Sequence, residues 1–315
     1  MKLVVTGGLG HLGSRLVHGF RPGDFEEIVI VDDLSTQRYA SLFNLPAGAG
    51  IRFVEADILT ADLGALFAGA HAVVHLAAVT NAAASFANPE EAERVNQQGS
   101  ERVARACLES GSRLFFPSTT SVYALNGTAV EDGGDESLGP QSPYAESKRR
   151  TETLLESLKP AGLKYAVCRF GTVFGPSPGM RFHTAVNRFA WQACLGQPLT
   201  VWRTAMDQKR PYLDVADAEG AIRFLLREDL FEGEIYNVAT LDATVAEILE
   251  ALRRYVPFTV RRVDSPVMNE FSYGASCEKI NRAGFRCRGS LDRGLRDTVS
   301  LLRAAGGDGT TRAAE

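Results

Sequence analysis

No apolar stretch in this chain approaches the roughly 18 residues that a bilayer-spanning helix requires, so no transmembrane segment is expected. Cysteine is sparse and scattered: Cys107, Cys168, Cys194, Cys277 and Cys287 are odd in number and form no CxxC pair. That argues against a disulfide framework or a thiolate zinc site and leads us to expect free thiols in a reducing cytosol. The five histidines fall at no metal-ligand spacing near the cysteines, so no metal is expected. An excess of one charge is missing too. Lys and Arg total 34 against 38 Asp and Glu, for a net charge of -4, and no like-charge run exceeds three residues. Nucleic acid and membrane surfaces are therefore not expected as partners. No internal repeat is found, and the N-terminus carries no signal-peptide cleavage pattern, so the expected location is cytoplasmic. What is present is ordinary globular composition, 45% hydrophobic and 23% charged over 315 residues, enough for one large domain or two intimate ones.

Residues 2–6 form a short β-branched run that stops at Gly7-Gly8, and residues 28–31 form another that stops at Asp32-Asp33. Similar runs lie at 51–54, 72–76, 113–117 and 165–169, separated by helix-length segments at 11–20, 61–69, 90–110 and 144–158. Runs that are apolar throughout, instead of alternating, suit strands buried on both faces. The expected fold class is α/β, a doubly wound parallel sheet covered by helices, with a smaller discontinuous C-terminal substrate lobe. After about 170 the spacing changes: 175–183 is rich in Gly and Pro, helices are expected at 184–195, 215–228 and 243–256, and short strands at 199–202 and 258–263. The expected division is a dinucleotide-binding domain over 1–170 with 211–240 returning to it, a substrate lobe of 171–210 and 241–304, and a mobile tail from 305 to 315.

Thr6-Gly7-Gly8-Leu9-Gly10-His11-Leu12-Gly13 joins the first strand to the first helix. Glycines there let the backbone approach a pyrophosphate, and the helix N-terminus offers free N–H groups. Asp32 ends the second strand 19 residues beyond Gly13, near the spacing of about 20 for a carboxylate that grips an adenosine ribose. Such a carboxylate favours the 2′-hydroxyl of NAD and repels the 2′-phosphate of NADP, although Arg38 lies close enough to blur the choice. Asp57, closing the third strand, is placed either to meet the adenine edge or to act as a plain strand-end acid.

Tyr144 and Lys148 stand four apart at the start of a helix, which stacks them on one face. A free tyrosine, with a pKa of about 10, is a poor base at neutral pH. A nearby ammonium and an oxidised nicotinamide favour the phenolate, so the pair can take a proton from a substrate hydroxyl while its carbon gives up hydride. Ser118-Thr119-Thr120-Ser121-Val122-Tyr123 follows the strand 113–117, placing hydroxyls at the sheet edge where ligands bind in open α/β folds.

The run TGGLGHLG at 6–13, Asp32-Asp33, VVHLAA at 73–78, Asn96 before Gly99, STTSVY at 118–123, SPYAESK at 142–148, CRFGTVFGP at 168–176 and QKRPYLDVAD at 208–217 together resemble the extended short-chain dehydrogenase/reductase family, in its nucleotide-sugar epimerase and dehydratase branch. The resemblance spans about residues 1–300. It implies NAD as cofactor and Thr119, Tyr144 and Lys148 as catalytic residues, Tyr144 as base and acid and Lys148 holding the ribose. It implies cofactor contacts at Gly7, Gly10, His11, Leu12, Gly13, Asp32, Asp33, Asp57, Ile58, Leu76, Ala77 and Ala78 as well as Tyr144 and Lys148. Substrate contacts are implied at Thr80, Thr119, Thr120, Thr172 and Arg210, the last clamping a diphosphate. It also implies a homodimer, in which apolar stripes on 90–110 (Val95, Val103, Cys107) and 144–158 (Leu154, Leu155, Leu158) either pair with their two-fold mates or face the sheet.

The branch's 4,6-dehydratases place Asp-Glu directly after the catalytic threonine, and its decarboxylases a glutamate at the second of those positions. Here Thr120 and Ser121 stand there, and elimination needs a positioned acid. What remains is hydride and hydroxyl-proton transfer, as in a nucleotide-sugar 4-epimerase that passes through a 4-keto sugar. Alternatives are a 4-keto-sugar reductase, a decarboxylase of the same family, or a non-catalytic dinucleotide sensor. Thr172 replaces a family asparagine, and Arg203-Thr204-Ala205-Met206 replaces a glycine-rich turn, so the pocket for base and sugar is reshaped. Trp191 and Trp202 are read either as stacking partners for a ligand ring or as packing residues.

Overall fold

The structure is a computed structural model that describes residues 1–123, 129–130, 138–264 and 272–306. Seven strands form the central sheet: β1 (Lys2–Thr6), β2 (Glu27–Asp32), β3 (Ile51–Glu55), β4 (Ala70–His75), β5 (Arg113–Thr119), β6 (Tyr165–Phe170) and β7 (Glu232–Val238), in the order β7-β6-β5-β4-β1-β2-β3. All pairings are parallel. Each strand points its residues alternately to two helical layers. Leu3, Val5, Ile28, Ile30 and Phe115 pack on one side with α1 (His11–Gly19); Val4, Val29, Val73 and Phe116 pack on the other with α2 (Gly99–Ser110) and α3 (Pro143–Leu158). Every one of those nine strand residues is fully buried, each worth about 1.5–3 kcal/mol relative to exposure. The doubly wound parallel sheet expected from the apolar runs is thus present.

β1 and β4 are neighbours, yet β1 continues into β2 on one side while β4 continues into β5 on the other. This is the switch point where a crevice opens beyond the carboxyl ends of the strands. The helical segment expected at 90–110 is broken in kind: Pro89–Ala92 is α-helical, Glu93–Gln98 is a π-helical turn, and α2 follows. The widened turn presents Asn96, whose Oδ1 accepts from Val79 N–H at 2.8 Å and whose Nδ2 donates to Val79 O at 2.9 Å and Ser147 Oγ at 3.2 Å. It thereby fixes the loop after β4 against α3. The stripes on α2 and α3 face inward: Val103, Cys107, Leu155 and Leu158 are buried in the core beneath the sheet, and Leu154 packs against it.

The strand 210–214 pairs in parallel with 172–174 and antiparallel with 241–243, forming a small separate sheet. α5 (Val215–Arg227) follows it back against α1, with Arg15 paired to Glu219 at 2.7 Å, before the chain enters β7. Three more helices are α4 (Ala185–Cys194), α6 (Val245–Arg253) and α7 (Leu291–Gly306). These three helices enclose a second core with Phe174, Phe189, Val201, Tyr212, Ile248 and Leu295. The stretches 199–202 and 260–263 pair as parallel strands over it. Residues 305 and 306 of the expected tail are the end of α7, which runs through Gly306; residues 307–315 lie outside the described residues. Among the described residues no helix is long and apolar enough to cross a membrane, and no group of three metal-ligating side chains occurs.

Candidate active site

One cavity of about 410 Å³ opens at the switch point, lined on the sheet side by the glycine corner and the ends of β4 and β5, and on the other side by the lobe. The glycine corner is built by close approach. Gly7 has φ +66°, and a Cβ there would lie 2.4 Å from Ala77 N; a Cβ on Gly13 would lie 2.4 Å from Gly7 O. Gly10 N–H closes the turn on Gly7 O at 3.1 Å, and Gly10 is the N-cap of α1 without a side-chain cap. The first turn of α1 holds no acid and lines the cavity, which puts the positive end of the helix dipole, with the N–H groups that a helix leaves without intrahelical partners, at its wall. Gly10, His11, Leu12 and Gly13 line it, with Arg38 beside Gly10. These donors fit the pyrophosphate of a dinucleotide.

Asp32 stands behind the corner. Its Oδ2 accepts Leu9 N–H at 3.1 Å and its Oδ1 accepts Leu34 N–H at 3.1 Å, while burial pushes its carboxyl above the ordinary range. Asp33 accepts from the Ser35 N–H and hydroxyl, and Asp57 accepts Leu59 N–H at 2.9 Å. None of the three is among the residues lining the cavity. Leu76, Ala78 and Thr80 line it, whereas Ala77 packs behind Gly7. Ile58 is a core residue, its methyl against Gly99.

Thr119, Tyr144 and Lys148 all line the cavity. Thr119 is the last residue of β5, where its Oγ1 accepts Ser121 N–H at 3.1 Å and its hydroxyl is hydrogen-bonded to the Tyr144 phenol. Ser142 caps α3 by accepting Ala145 N–H at 3.1 Å, and Pro143 fills its first turn, which sets Tyr144 and Lys148 one turn apart at the cavity wall. Burial raises the Tyr144 pKa, and the Arg181 charge and the Thr119 hydrogen bond oppose that rise. The Lys148 ammonium lies 4.5 Å above the Phe116 ring, and burial lowers its pKa to about 7. Below it, His75 shares hydrogen bonds with Thr6 Oγ1 at 2.7 Å and Ser100 Oγ at 2.9 Å; burial and then the Lys148 charge hold it neutral, with a pKa of about 3.

α3 is held to the sheet by a buried network. Arg169 of β6 donates to both carboxylate oxygens of Glu152, at 3.0 and 2.8 Å, and to the Tyr123 hydroxyl at 3.0 Å; Tyr123 in turn donates to Asn237 at 2.7 Å.

The lobe wall carries Thr172, Trp202, Gln208, Arg210, Tyr212 and Tyr273, with the Arg210 guanidinium 5.0 Å from the centre of the Tyr273 ring. Thr120 is buried and lies 3.4 Å from the Tyr273 hydroxyl, outside the lining. Trp191 packs on Phe182 at 4.7 Å and does not reach the cavity. Among the lining residues that the sequence does not single out are three basic ones, Arg181, His183 and Arg188. The Nε of Arg181, the Nε2 of His183 and the Nε of Arg188 are all buried without a hydrogen-bond partner. They lie in and after the Gly- and Pro-rich stretch, which has no periodicity to mark inward-facing positions. Ser118 Oγ is likewise buried and unpaired. No Asp or Glu lines the cavity among the described residues.

A sequence profile described as the NAD dependent epimerase/dehydratase family matches residues 3–239. The chain is 29% identical over 265 residues to the "Uncharacterized UDP-glucose epimerase YtcB" of Bacillus subtilis, spanning 80% of this chain and 81% of that one. A UDP-glucose 4-epimerase from Thermus thermophilus, solved in complex with NAD, superposes with TM-score 0.80 at 27% identity, over 97% of this chain and 100% of that one. The dTDP-glucose 4,6-dehydratase DesIV of Streptomyces venezuelae, solved with NAD bound, superposes with TM-score 0.86 at 26% identity, over 96% and 97%. The glycine corner, the sheet order and the matched length agree: the chain belongs to the NAD-dependent epimerase/dehydratase family.

Proposed function

We propose that the protein is an NAD-dependent nucleotide-sugar 4-epimerase, with Thr119, Tyr144 and Lys148 as its catalytic residues. One observation carries this reading. The three groups share a cavity with the glycine corner, and no described lining residue is a carboxylic acid that could expel a hydroxyl or abstract a carbon-bound proton. When bound, NAD supplies a site that accepts hydride from the sugar carbon and gives it back. The chain's own residues then manage a single proton. Tyr144 Oη takes it from the sugar 4-hydroxyl, through or beside the Thr119 hydroxyl, and returns it once the 4-keto sugar has turned its other face. The first-turn N–H groups of α1, with Arg38, hold the cofactor's pyrophosphate, and Asp32 shapes the corner beside the adenosine ribose. Arg210 and Thr172 receive the sugar nucleotide's diphosphate region. Apolar walls from Leu76, Val173 and Phe170 exclude water from the reacting carbon.

The test is incubation of the purified protein with a panel of nucleotide sugars in deuterated water without added cofactor. Inversion at C4 without solvent deuterium supports the reading. Deuterium at carbon, or turnover that demands added reduced cofactor, replaces it with enolisation or with a 4-keto-sugar reductase. Tyr144→Phe is expected to lower turnover at least about a hundredfold, the usual scale of a lost general base, while NAD binding changes little. Two further parts of the reading are a homodimer and a cytoplasmic location. Because the apolar stripes of α2 and α3 are used inside the chain, pairing through these helices would employ their outer faces, where Glu101–Arg105 and Glu146–Arg150 are exposed ion pairs. Light scattering checks the dimer. The five cysteines, all free thiols, support a reducing compartment.

A further inference from the structure

Residues 175–183 lie as a strap across the glycine corner and carry a cation that the chemistry above leaves unused. The strap is fixed at several points. Gly175 O bonds to His11 Nε2 at 2.9 Å, Gly179 N–H donates to Ser14 Oγ at 2.8 Å, and Arg181 O accepts from Asn187 Nδ2 at 3.1 Å. Gly179 sits so close to the corner that a Cβ would lie 2.1 Å from Leu9 O. Backbone held this way cannot slide, so the Arg181 side chain is aimed into the cavity that Tyr144 also lines, with Nε shut from solvent and unpaired.

The charged and titratable groups around Tyr144 differ in how long they keep their charge. From its own helix comes Lys148, whose charge fades just above neutrality because burial lowers its pKa to about 7. Glu152, one turn further along α3, is bound to Arg169, and Glu146 is exposed and paired with Arg150. From the strap come Arg181 and His183, and from α1 His11; burial and the Arg181 charge keep both imidazoles neutral, with pKa values of about 4 and about 3. Arg38 stands farther off beside Gly10. An arginine keeps its proton across the whole working range. Burial raises the Tyr144 phenol above its ordinary value, into a range where Lys148 has already given up its charge, and Arg181 acts on that phenol electrostatically.

We propose that Arg181 is a positioning residue for catalysis, supplying the fixed positive charge that stabilises the Tyr144 phenolate. The inference rests on reading Tyr144 as the base. Arg181 itself neither gains nor loses a proton; the sugar hydroxyl's proton moves to Tyr144 Oη and back.

The test uses the full-length protein with its cofactor, as Arg181→Gln and Arg181→Lys, and follows phenolate formation by ultraviolet absorbance as pH rises. Subtracting the same titration of Tyr144→Phe isolates Tyr144. In Arg181→Gln the Tyr144 midpoint is expected to rise by about one to three pH units, the range for losing a neighbouring opposite charge. The rate–pH profile is expected to move with it, about tenfold slower per unit below the midpoint, and Arg181→Lys is expected to restore most of the shift. An unchanged Tyr144 midpoint in Arg181→Gln overturns the proposal, whatever happens to activity or substrate KM. Should Arg181→Gln not fold, Arg181→Met gives the same reading with an apolar chain of similar length. If Tyr144→Phe keeps full turnover, the assignment of the base fails instead, and the spectral titration still reports separately on Arg181.

Discussion

Replacing Lys148 by methionine should make the cofactor-free protein more stable at low pH and leave it nearly unchanged at high pH. Lys148 is 3% exposed, rests on Phe116, and has no ion-pair partner of its own among the described residues. Burial lowers its pKa from 10.5 to about 7. The unfolded chain therefore holds the Lys148 proton between about pH 7 and 10.4 while the folded chain has released it, so folding stability rises with pH across that window. Below it the folded state carries the whole desolvation cost, about 5 kcal/mol for a fall from 10.5 to about 7. Methionine removes that cost and keeps an unbranched stem over the ring, giving up a cation–π contact of about 0.5–2 kcal/mol. The expected gain is about 3–4 kcal/mol at pH 6, falling to roughly zero or slightly negative by pH 10. Urea unfolding of both proteins at several pH values measures the difference, and other titrating groups cancel between the two. Adding NAD should shrink the gap, because ribose hydroxyls would then solvate the ammonium of the native protein alone. A methionine variant that is less stable by the same amount at pH 6 and pH 10 would refute the reasoning.

Two other outcomes follow from packing. Arg169→Met leaves the buried Glu152 carboxylate to its longer, 3.5 Å contact with Arg149 and should cost about 3–5 kcal/mol in urea unfolding, much of which the double change with Glu152→Leu should recover. Gly179→Ala puts a methyl against the Leu9 carbonyl and should cost about 1–3 kcal/mol while weakening NAD binding in titration calorimetry; unaltered binding would separate the strap from the cofactor site.

The strands of the sheet interior were legible because residues such as Val4, Val29 and Val73 must be apolar on both faces. β7 was not legible as a strand for the converse reason: at the sheet edge, Glu232 and Glu234 face water, and its sequence loses the continuous apolar signature. The turn at Glu93–Gln98 reads as ordinary helix in the sequence, since π-helical widening leaves the apolar spacing almost intact and depends on the partners Asn96 finds at Val79 and Ser147. In the site, the Tyr144–Lys148 pair is legible from its four-residue spacing on a helix and the hydroxyl run 118–121 from its strand end, while the choice of Thr119 within that run comes from the family resemblance. Arg181, His183 and Arg188 are not legible, because the direction of a side chain on an irregular strap is set by tertiary contacts such as Gly179 on Ser14. Asp32 shows the same limit from the other side: its spacing is legible, but its hydrogen bonds to Leu9 and Leu34, which make it a support for the corner, are not.

The strap also has a mechanical meaning. The lobe's first segment is fastened to α1 by His11 and Ser14, so the lobe and the glycine corner move as one piece wherever those bonds persist. An enzyme that exports reducing equivalents must swap its dinucleotide after every cycle and has to undo such fastenings each time. One that hands hydride back to the same carbon can leave the latch shut for the lifetime of the molecule and admit only the sugar.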